Sequence, residues 1–263
     1  MPAPPTLAVQ IVNYHTRRYL ERCLESVIAD LSRGAIPYEI NLLDNDSGEP
    51  LDDLAGRHEH VSAFSAPRNL GFGAGHNLLA AATRARHLWI LNPDIELREP
   101  DTAERLLREL AGAGRVRAVG PRLLGADGTP EPYDHGRLRG PRARLALRGG
   151  HSYWRATERA RRVAWVNGAA LLIERAAFTA LGGFDENLFL YKEEEDLCLR
   201  LRAAGGEVLY DPSVSVRHVG SVVAERPVSL AESERYYIAK HCRPGRVQRL
   251  CARIHQGLAY VHL

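Results

Sequence analysis

Cysteine is scarce and never occurs in a spacing that metal or redox sites use. Cys23, Cys198, Cys242 and Cys251 include no C-x-x-C pair, which excludes a sequence-local zinc or dithiol motif. Cys23 and Cys198 fall in helical apolar patterns and read as small buried residues of a reducing cytosol. No stretch comes near the ~20 apolar residues a membrane-spanning helix needs. The opening MPAPPTLAVQIVNYH has no basic segment leading into an apolar run, so no signal peptide is expected and the protein is expected in the cytoplasm. A formal charge of +3 is too small to argue for nucleic acid. The dinucleotide fingerprint G-x-G-x-x-G is missing: IVNYHTRRYL, after the first apolar run, holds no glycine. The same lack of a glycine-rich basic loop argues against a nucleotidyltransferase. There is no internal repeat and no low-complexity segment.

What is there is a 263-residue chain, 45% hydrophobic and 25% charged, enough for a substantial core. Apolar runs alternate with helical patterns. Strands are expected at 7–13, 38–44, 61–67, 87–94, 116–124 and 165–173, with a pair at 207–211 and 214–218. Helices are expected at 17–32, 50–57, 74–86, 101–112, 175–181, 193–204, 229–241 and 246–260. Such alternation implies crossover connections and a mostly parallel sheet with helices on both faces. Ligands bind at the carboxyl ends of strands in such sheets, and Asn13, Asp44, Asn69 and Asp94 stand at or just beyond those ends. Residues 133–162 carry nine arginines among glycines and prolines. This reads as a mobile basic loop, either a solvated linker or a site for an acceptor phosphate.

Three short stretches bear chemistry, each with a plainer reading. LNPDIEL (91–97) delivers Asn92 and Asp94 into a proline turn, where a carboxylate could hold Mg or Mn; an Asx turn ending a strand would look the same. RNLGFGAGHN (68–77) puts Gly71, Gly73 and Gly75 before a helix, where backbone N–H groups can meet phosphate, or simply make a turn. VRHVGS (216–221) puts His218 at a strand end, structural unless it faces Asp94. The fourth stretch, FLYKEEEDLCLR (189–200), is an acidic row framed by Phe, Tyr and Leu. The helix dipole favours one or two acids in a first turn, but four acids in an apolar frame suit a sheltered general base.

The order of IVNYH, LLDNDSG, NLGFGAGHN, LNPDIEL, VNGAALLIERAAFTALGGFDENLFLYKEEEDLCLRLRAAG and VRHVGS resembles the inverting family-2 glycosyltransferases, and within them the rhamnosyltransferase-like branch. The resemblance implies an α/β GT-A fold, a mostly parallel Rossmann-like sheet flanked by helices. It implies a catalytic domain over 1–242, with a nucleotide-sugar-binding half (1–122) and an acceptor-binding half (123–242), and a helical extension over 243–263. It implies that Asp44, with Val12 and Asn13, lines the nucleotide pocket, that Asn69, Gly71, Gly75 and Asn92 shape the donor site, and that Asp94 and His218 hold a divalent cation, Mg or Mn. The family pattern Glu-Asp-x-Asp-Leu aligns with Glu193-Glu194-Glu195-Asp196-Leu197. The base position, usually Asp, is then Glu194, with Glu193 and Asp196 as acidic support and Glu193 or Glu195 as alternative bases.

The expected reaction is metal-assisted single displacement from a dTDP- or UDP-linked sugar, L-rhamnose foremost, onto a hydroxyl of a glycan, lipid-linked or natural-product acceptor. A catalytically degenerate sugar-nucleotide-binding protein is the alternative. The last helix, with Leu250, Ile254, Leu258 and Val261 beside Arg246, Arg249 and Arg253, either packs on the domain or touches a membrane surface.

Overall fold

The computed structural model describes residues 4–112, 114–137, 154–220 and 226–241. The core of the arginine-rich loop, the expected last helix, Cys242 and Cys251 lie outside the described residues.

The chain opens with β1 (Leu7–Asn13), α1 (Arg17–Leu31), β2 (Tyr38–Asp44), α2 (Asp52–Ala55), β3 (Val61–Ser65), α3 (Phe72–Ala82), β4 (His87–Leu91), β5 (Ile95–Glu96), α4 (Thr102–Gly112) and β6 (Val116–Leu124). There follow β7 (His135–Gly136), β8 (Arg161–Val163), β9 (Trp165–Val166), β10 (Ala170–Glu174), α5 (Arg175–Ala180), α6 (Glu193–Ala203), β11 (Glu207–His218) and α7 (Arg226–His241). The large sheet has the order β3-β2-β1-β4-β10-β6-β11-β5, with β8 paired to β11. Strands β1, β2, β3, β4, β6 and β11 point one way, and β10, β5 and β8 run against them.

Every residue of β1 is buried, as a continuous apolar run covered on both faces requires. Its side chains alternate. Leu7, Val9 and Ile11 join one cluster with Leu20, Leu24 and Val27 of α1 and Leu106 of α4. Ala8 joins a second with Phe178 of α5 and Leu197 and Leu201 of α6. The two helical layers thus sit on opposite faces, and the strand ends emerge between them.

Most other ends shift by a few residues, and three strands differ from expectation more deeply, each for a local reason. The expected strand 87–94 stops at Leu91, because the Asn92–Asp94 turn intervenes before β5. The expected strand 165–173 splits at Asn167, whose Oδ1 accepts the Ala169 N–H at 2.9 Å. β9 then pairs with β7 in a separate ribbon while β10 enters the large sheet. The expected pair 207–211 and 214–218 is one strand, carrying an irregularity between Asp211 and Ser215 that absorbs Pro212.

Candidate active site

At the carboxyl edge of β1 and β2, Asn13 is fully buried and Asp44 nearly so. The two are register partners, and the Asn13 amide donates to Asp44 Oδ1 at 3.5 Å. The same amide reaches Ser47 and Glu49, and Asn13 Oδ1 accepts from the Thr16 N–H and hydroxyl. The Asn13 side chain is therefore committed to holding the edge together. The Ser47 N–H also lands on Asp44 Oδ1, at 3.1 Å, so both bonds to Asp44 use one oxygen.

Asn45, which sequence reasoning passed over inside LLDNDSG, links this edge to the glycine stretch. Its amide donates to Asn69 Oδ1 at 2.9 Å and its Oδ1 accepts the Leu70 N–H at 2.9 Å. Asn69 Oδ1 in turn accepts the Gly71 N–H at 2.9 Å. The glycines themselves are consumed by close protein contact. Gly71 sits at φ +84, and a Cβ there would stand 2.4 Å from the Phe189 carbonyl oxygen. That oxygen accepts the Phe72 N–H at 3.0 Å. Gly75 packs on Val12, where a Cβ would meet the side chain at 3.1 Å. The start of α3 is thereby pinned between β1 and the segment that leads into α6.

The second group gathers at the β4 end. His218 Nε2 lies 3.5 Å from Asp94 Oδ1 and 3.3 Å from the Asn92 amide nitrogen. His218 Nδ1 lies 3.0 Å from Glu131 Oε2. Asp94 Oδ2 accepts the Gly220 N–H at 2.8 Å. Burial alone would push the His218 imidazole down, but its hydrogen bonds to Asp94 and Glu131 raise it to about 9. Asp94 is held below the usual carboxylate range: burial works against ionisation, and the His218 contact and the Gly220 N–H outweigh it. Glu131 carried no sequence signal. It lies in the loop after β6, 87 residues from His218, and no local pattern joins them.

The third group is the acidic row. Two successive residues before α6, Tyr191 and Lys192, both adopt φ +74, a costly conformation for side chains of this size. The four carboxylates then part company. Asp196 is fully buried and meets Arg200 at 2.7 Å, Lys240 at 2.6 Å and His241 at 2.6 Å, so its role is broader than the i,i+4 pair with Arg200. Glu195 is buried against Lys192 at 2.8 Å. Glu193 is buried near Gly73 and Phe184; burial and the neighbouring Glu194 push its carboxyl well up. Glu194 alone in the row keeps exposed surface. Surrounding protein, and secondarily Glu195, push it up to about 7.

The second and third groups are linked through the turn Asn167–Ala169. A Cβ on Gly168 would lie 3.5 Å from Glu194 Cβ and 3.3 Å from the Phe72 ring. The next residue, Ala169, accepts the Asn92 N–H at 2.9 Å. Glu194 is thus linked to the turn that carries Asn92 and Asp94 through Gly168 and Ala169. Asp44 stands on the same sheet edge two strands away, about 10 Å at ordinary strand spacing.

Residues that fit a divalent cation are present but few. Among the described residues no group of three or more His, Cys, Asp or Glu side chains is arranged to hold a metal ion. A cation at Nε2 would displace the proton that Asp94 otherwise stabilises there and leave the Nδ1 proton on Glu131, the arrangement ligating histidines use. One carboxylate and one imidazole suit an ion that takes its remaining ligands from a diphosphate and water.

Comparison with known proteins identifies the family and the fold. Residues 4–237 match the family described as "Glycosyltransferase like family 2". The chain is 32% identical over 241 residues to the N-acetylglucosaminyl-diphospho-decaprenol L-rhamnosyltransferase of Mycobacterium tuberculosis, covering 81% of this chain and 75% of that protein. It is 26% identical over 205 residues to the low-salt glycan biosynthesis hexosyltransferase Agl10 of Haloferax volcanii, covering 74% and 61%. Its fold is similar to that of GalNAc-T7 with UDP, GalNAc and Mn2+ (TM-score 0.68, 19% identity, 89% of this chain and 48% of that one). It is also similar to the mannosyltransferase PcManGT of Pyrobaculum calidifontis with GDP-Man and Mn2+ (TM-score 0.64, 15% identity, 96% and 70%). Both are GT-A glycosyltransferases. The chain belongs to glycosyltransferase family 2 and has the GT-A fold.

Proposed function

We propose that this enzyme transfers L-rhamnose from a dTDP-linked donor to a hydroxyl of an N-acetylglucosaminyl-diphospho-lipid, with inversion, and that Glu194 is its general base. One observation carries the assignment of the base. Of four adjacent carboxylates, Glu194 alone keeps surface, and it faces the Gly168–Ala169 turn bonded to Asn92. Glu195 and Asp196 are held in ion pairs, and Glu193 is enclosed beside Phe184. The sugar and the acceptor follow the mycobacterial relative, whose name specifies both, and the dTDP carrier follows the rhamnosyltransferase-like sequence resemblance. A lipid-linked acceptor would bring the protein to the cytoplasmic face of a membrane. Among the described residues no helix is long and apolar enough to cross one.

The steps use this chain's own groups. Asp44, whose Oδ1 is occupied by Asn13 and Ser47, has Oδ2 for the base of the nucleotide. The strand-edge backbone at Val12 and Asn13 and the loop at Asn69, Gly71 and Gly75 form the wall around it. Asn92, Asp94 and His218, which lie together, would take the diphosphate and leave the anomeric carbon toward Glu194. Asp94 and His218 would hold the divalent cation, Mg or Mn, which neutralises the charge developing on the leaving diphosphate. Glu194 takes the proton of the acceptor hydroxyl. The hydroxyl oxygen bonds to the anomeric carbon as the bond from that carbon to the diphosphate oxygen breaks, and the nucleotide diphosphate leaves with the electron pair. One attack from the opposite face inverts the configuration. A carboxyl raised to about 7 is matched to this task, since a base works best near the working pH.

The test is direct. The protein is incubated with Mn2+ and either dTDP-L-rhamnose or a UDP-hexose, and with an N-acetylglucosaminyl-diphospho-polyprenol of short chain. A rhamnosylated lipid with inverted anomeric configuration is expected. Transfer from the UDP-hexose alone would overturn the donor assignment, and a product of retained configuration would overturn the mechanism.

A further inference from the structure

Among the described residues three large apolar side chains stand exposed: Tyr133 at 54%, Phe189 at 45% and Leu230 at 37%. Two of them border the surroundings of Glu194. Phe189 is joined through its carbonyl to Phe72, whose ring borders Gly168. The Tyr133 carbonyl accepts from the Asn167 amide at 3.2 Å, next to the Gly168 that faces Glu194. Tyr133 is also held at φ +62, a conformation an aromatic residue keeps only when its surroundings enforce it.

The enforcement comes from a buried polar network. Asp134 is buried and accepts from the Trp154 indole N–H at 3.0 Å and the Tyr210 hydroxyl at 2.6 Å, and its Oδ1 lies 2.7 Å from His135 Nδ1. The His135 ring stacks on Tyr210 at 4.0 Å. Asn167 closes the frame by donating its N–H to the Asp134 carbonyl at 2.9 Å. Trp154 is thereby fixed by its polar edge, and its ring lies 6.2 Å from that of Tyr133, tilted by 45°. The result is a pair of aromatic rings, one exposed and one partly so, mounted on a rigid base that Asn167 and Gly168 link to the candidate base residue.

We propose that Tyr133 and Trp154 form a stacking platform for the pyranose ring of the acceptor. The inference rests on the transferase reading above and extends it to the acceptor side. The C–H faces of a pyranose are apolar and flat enough to lie on an aromatic ring, while its hydroxyls stay in water or meet polar groups. A rigid ring pair costs little entropy to use. With the sugar stacked there, one acceptor hydroxyl is presented toward Glu194, across the Asn167–Gly168 turn.

The chain has three tryptophans, and Trp89 and Trp165 are buried at 0% and 3% exposure. A change in tryptophan emission on adding a sugar, if lost in Trp154→Phe, therefore reports Trp154. Methyl N-acetylglucosaminide and a polyprenyl diphosphate without sugar are titrated separately, in the absence of donor. The sugar is expected to change the emission saturably and the lipid alone is not; an effect of the lipid only, or of neither, overturns the proposal. In the transfer assay Tyr133→Ala is expected to raise the acceptor KM about tenfold, with the donor KM unmoved, and Tyr133→Phe to restore it. An acceptor KM unchanged in Tyr133→Ala overturns the platform while leaving the transferase reading in place. Absence of any transfer by the wild type would instead sink that reading, with the emission titration still deciding the sugar site.

Discussion

His218 meets Glu131 through Nδ1 at 3.0 Å and turns Nε2 toward Asp94, 3.5 Å away. The imidazole is thus oriented from behind by one carboxylate and aimed at another. Glu131 is a positioning residue in this account, and its loss should be felt at the diphosphate. Glu131→Ala is expected to weaken Mn2+ binding in the presence of dTDP by about 10–100-fold. Glu131→Gln, which keeps a carbonyl for the Nδ1 proton, should lose less. Free Mn2+ measured by electron paramagnetic resonance reads the constant directly. An unchanged constant in Glu131→Ala would show that His218 needs no such support.

The glycines before α3 act through contact with the protein. Gly71→Ala would drive a methyl group toward the Phe189 carbonyl at a positive φ, and a loss of about 2–3 kcal/mol of stability is expected. Gly112, at the end of α4, has open space around its Cβ position. Gly112→Ala should be neutral or gain up to about 1 kcal/mol from helix propensity. Chemical denaturation of the two variants side by side checks the contrast.

Asp196 is a structural acid two residues from the proposed base. It is fully buried beneath Arg200, Lys240 and His241, and it ties α7 to α6. Asp196→Ala leaves those cations without their counter-charge and is expected to cost about 3 kcal/mol. Calorimetric unfolding should show the drop. Below the lowered Tm, kcat should stay within a few-fold of wild type, which a direct role in proton transfer would not allow.

Burial and Glu195 push the Glu194 carboxyl up to about 7, which fixes the sign of two pH effects. The base must be ionised, so kcat/KM should fall as pH drops through about 7, approaching a tenfold loss per unit. A folded-state value above the unfolded one, ordinarily about 4.3 for Glu, means that the unfolded chain ionises first. Stability contributed by the neutral form is therefore lost between roughly pH 4.3 and 7 as pH rises. Glu194→Gln should then be more stable than wild type above pH 7. Thermal unfolding scanned across pH checks the second effect, and the initial-rate profile checks the first.

Much of the fold was legible because its signals are local and continuous. The runs LAVQIVN, YEINLLD and HLWIL read as buried strands, and the Leu20–Leu24–Val27–Leu31 stripe read as a helix that packs on them. The break at Asn167 was hidden inside the apolar run 165–173, since it depends on a side-chain bond to Ala169 and on pairing of β9 with β7. Asp44 and Asp94 were legible by position, and the structure puts Asp44 at the end of β2 and Asp94 in the turn after β4. Glu131 was invisible because only tertiary contact joins it to His218. The choice among Glu193, Glu194 and Glu195 was open because neighbours on one helix turn differ in burial, not in chemistry. Their burial now favours Glu194.

The central claim is that Glu194 removes the proton from the acceptor. It is tested most directly by measuring transfer of L-rhamnose from dTDP-L-rhamnose to N-acetylglucosaminyl-diphospho-polyprenol by Glu194→Gln, alongside its affinity for dTDP. A loss in kcat of about a thousandfold is expected, with dTDP binding unchanged. A rate within tenfold of wild type, at equal nucleotide affinity, would contradict it.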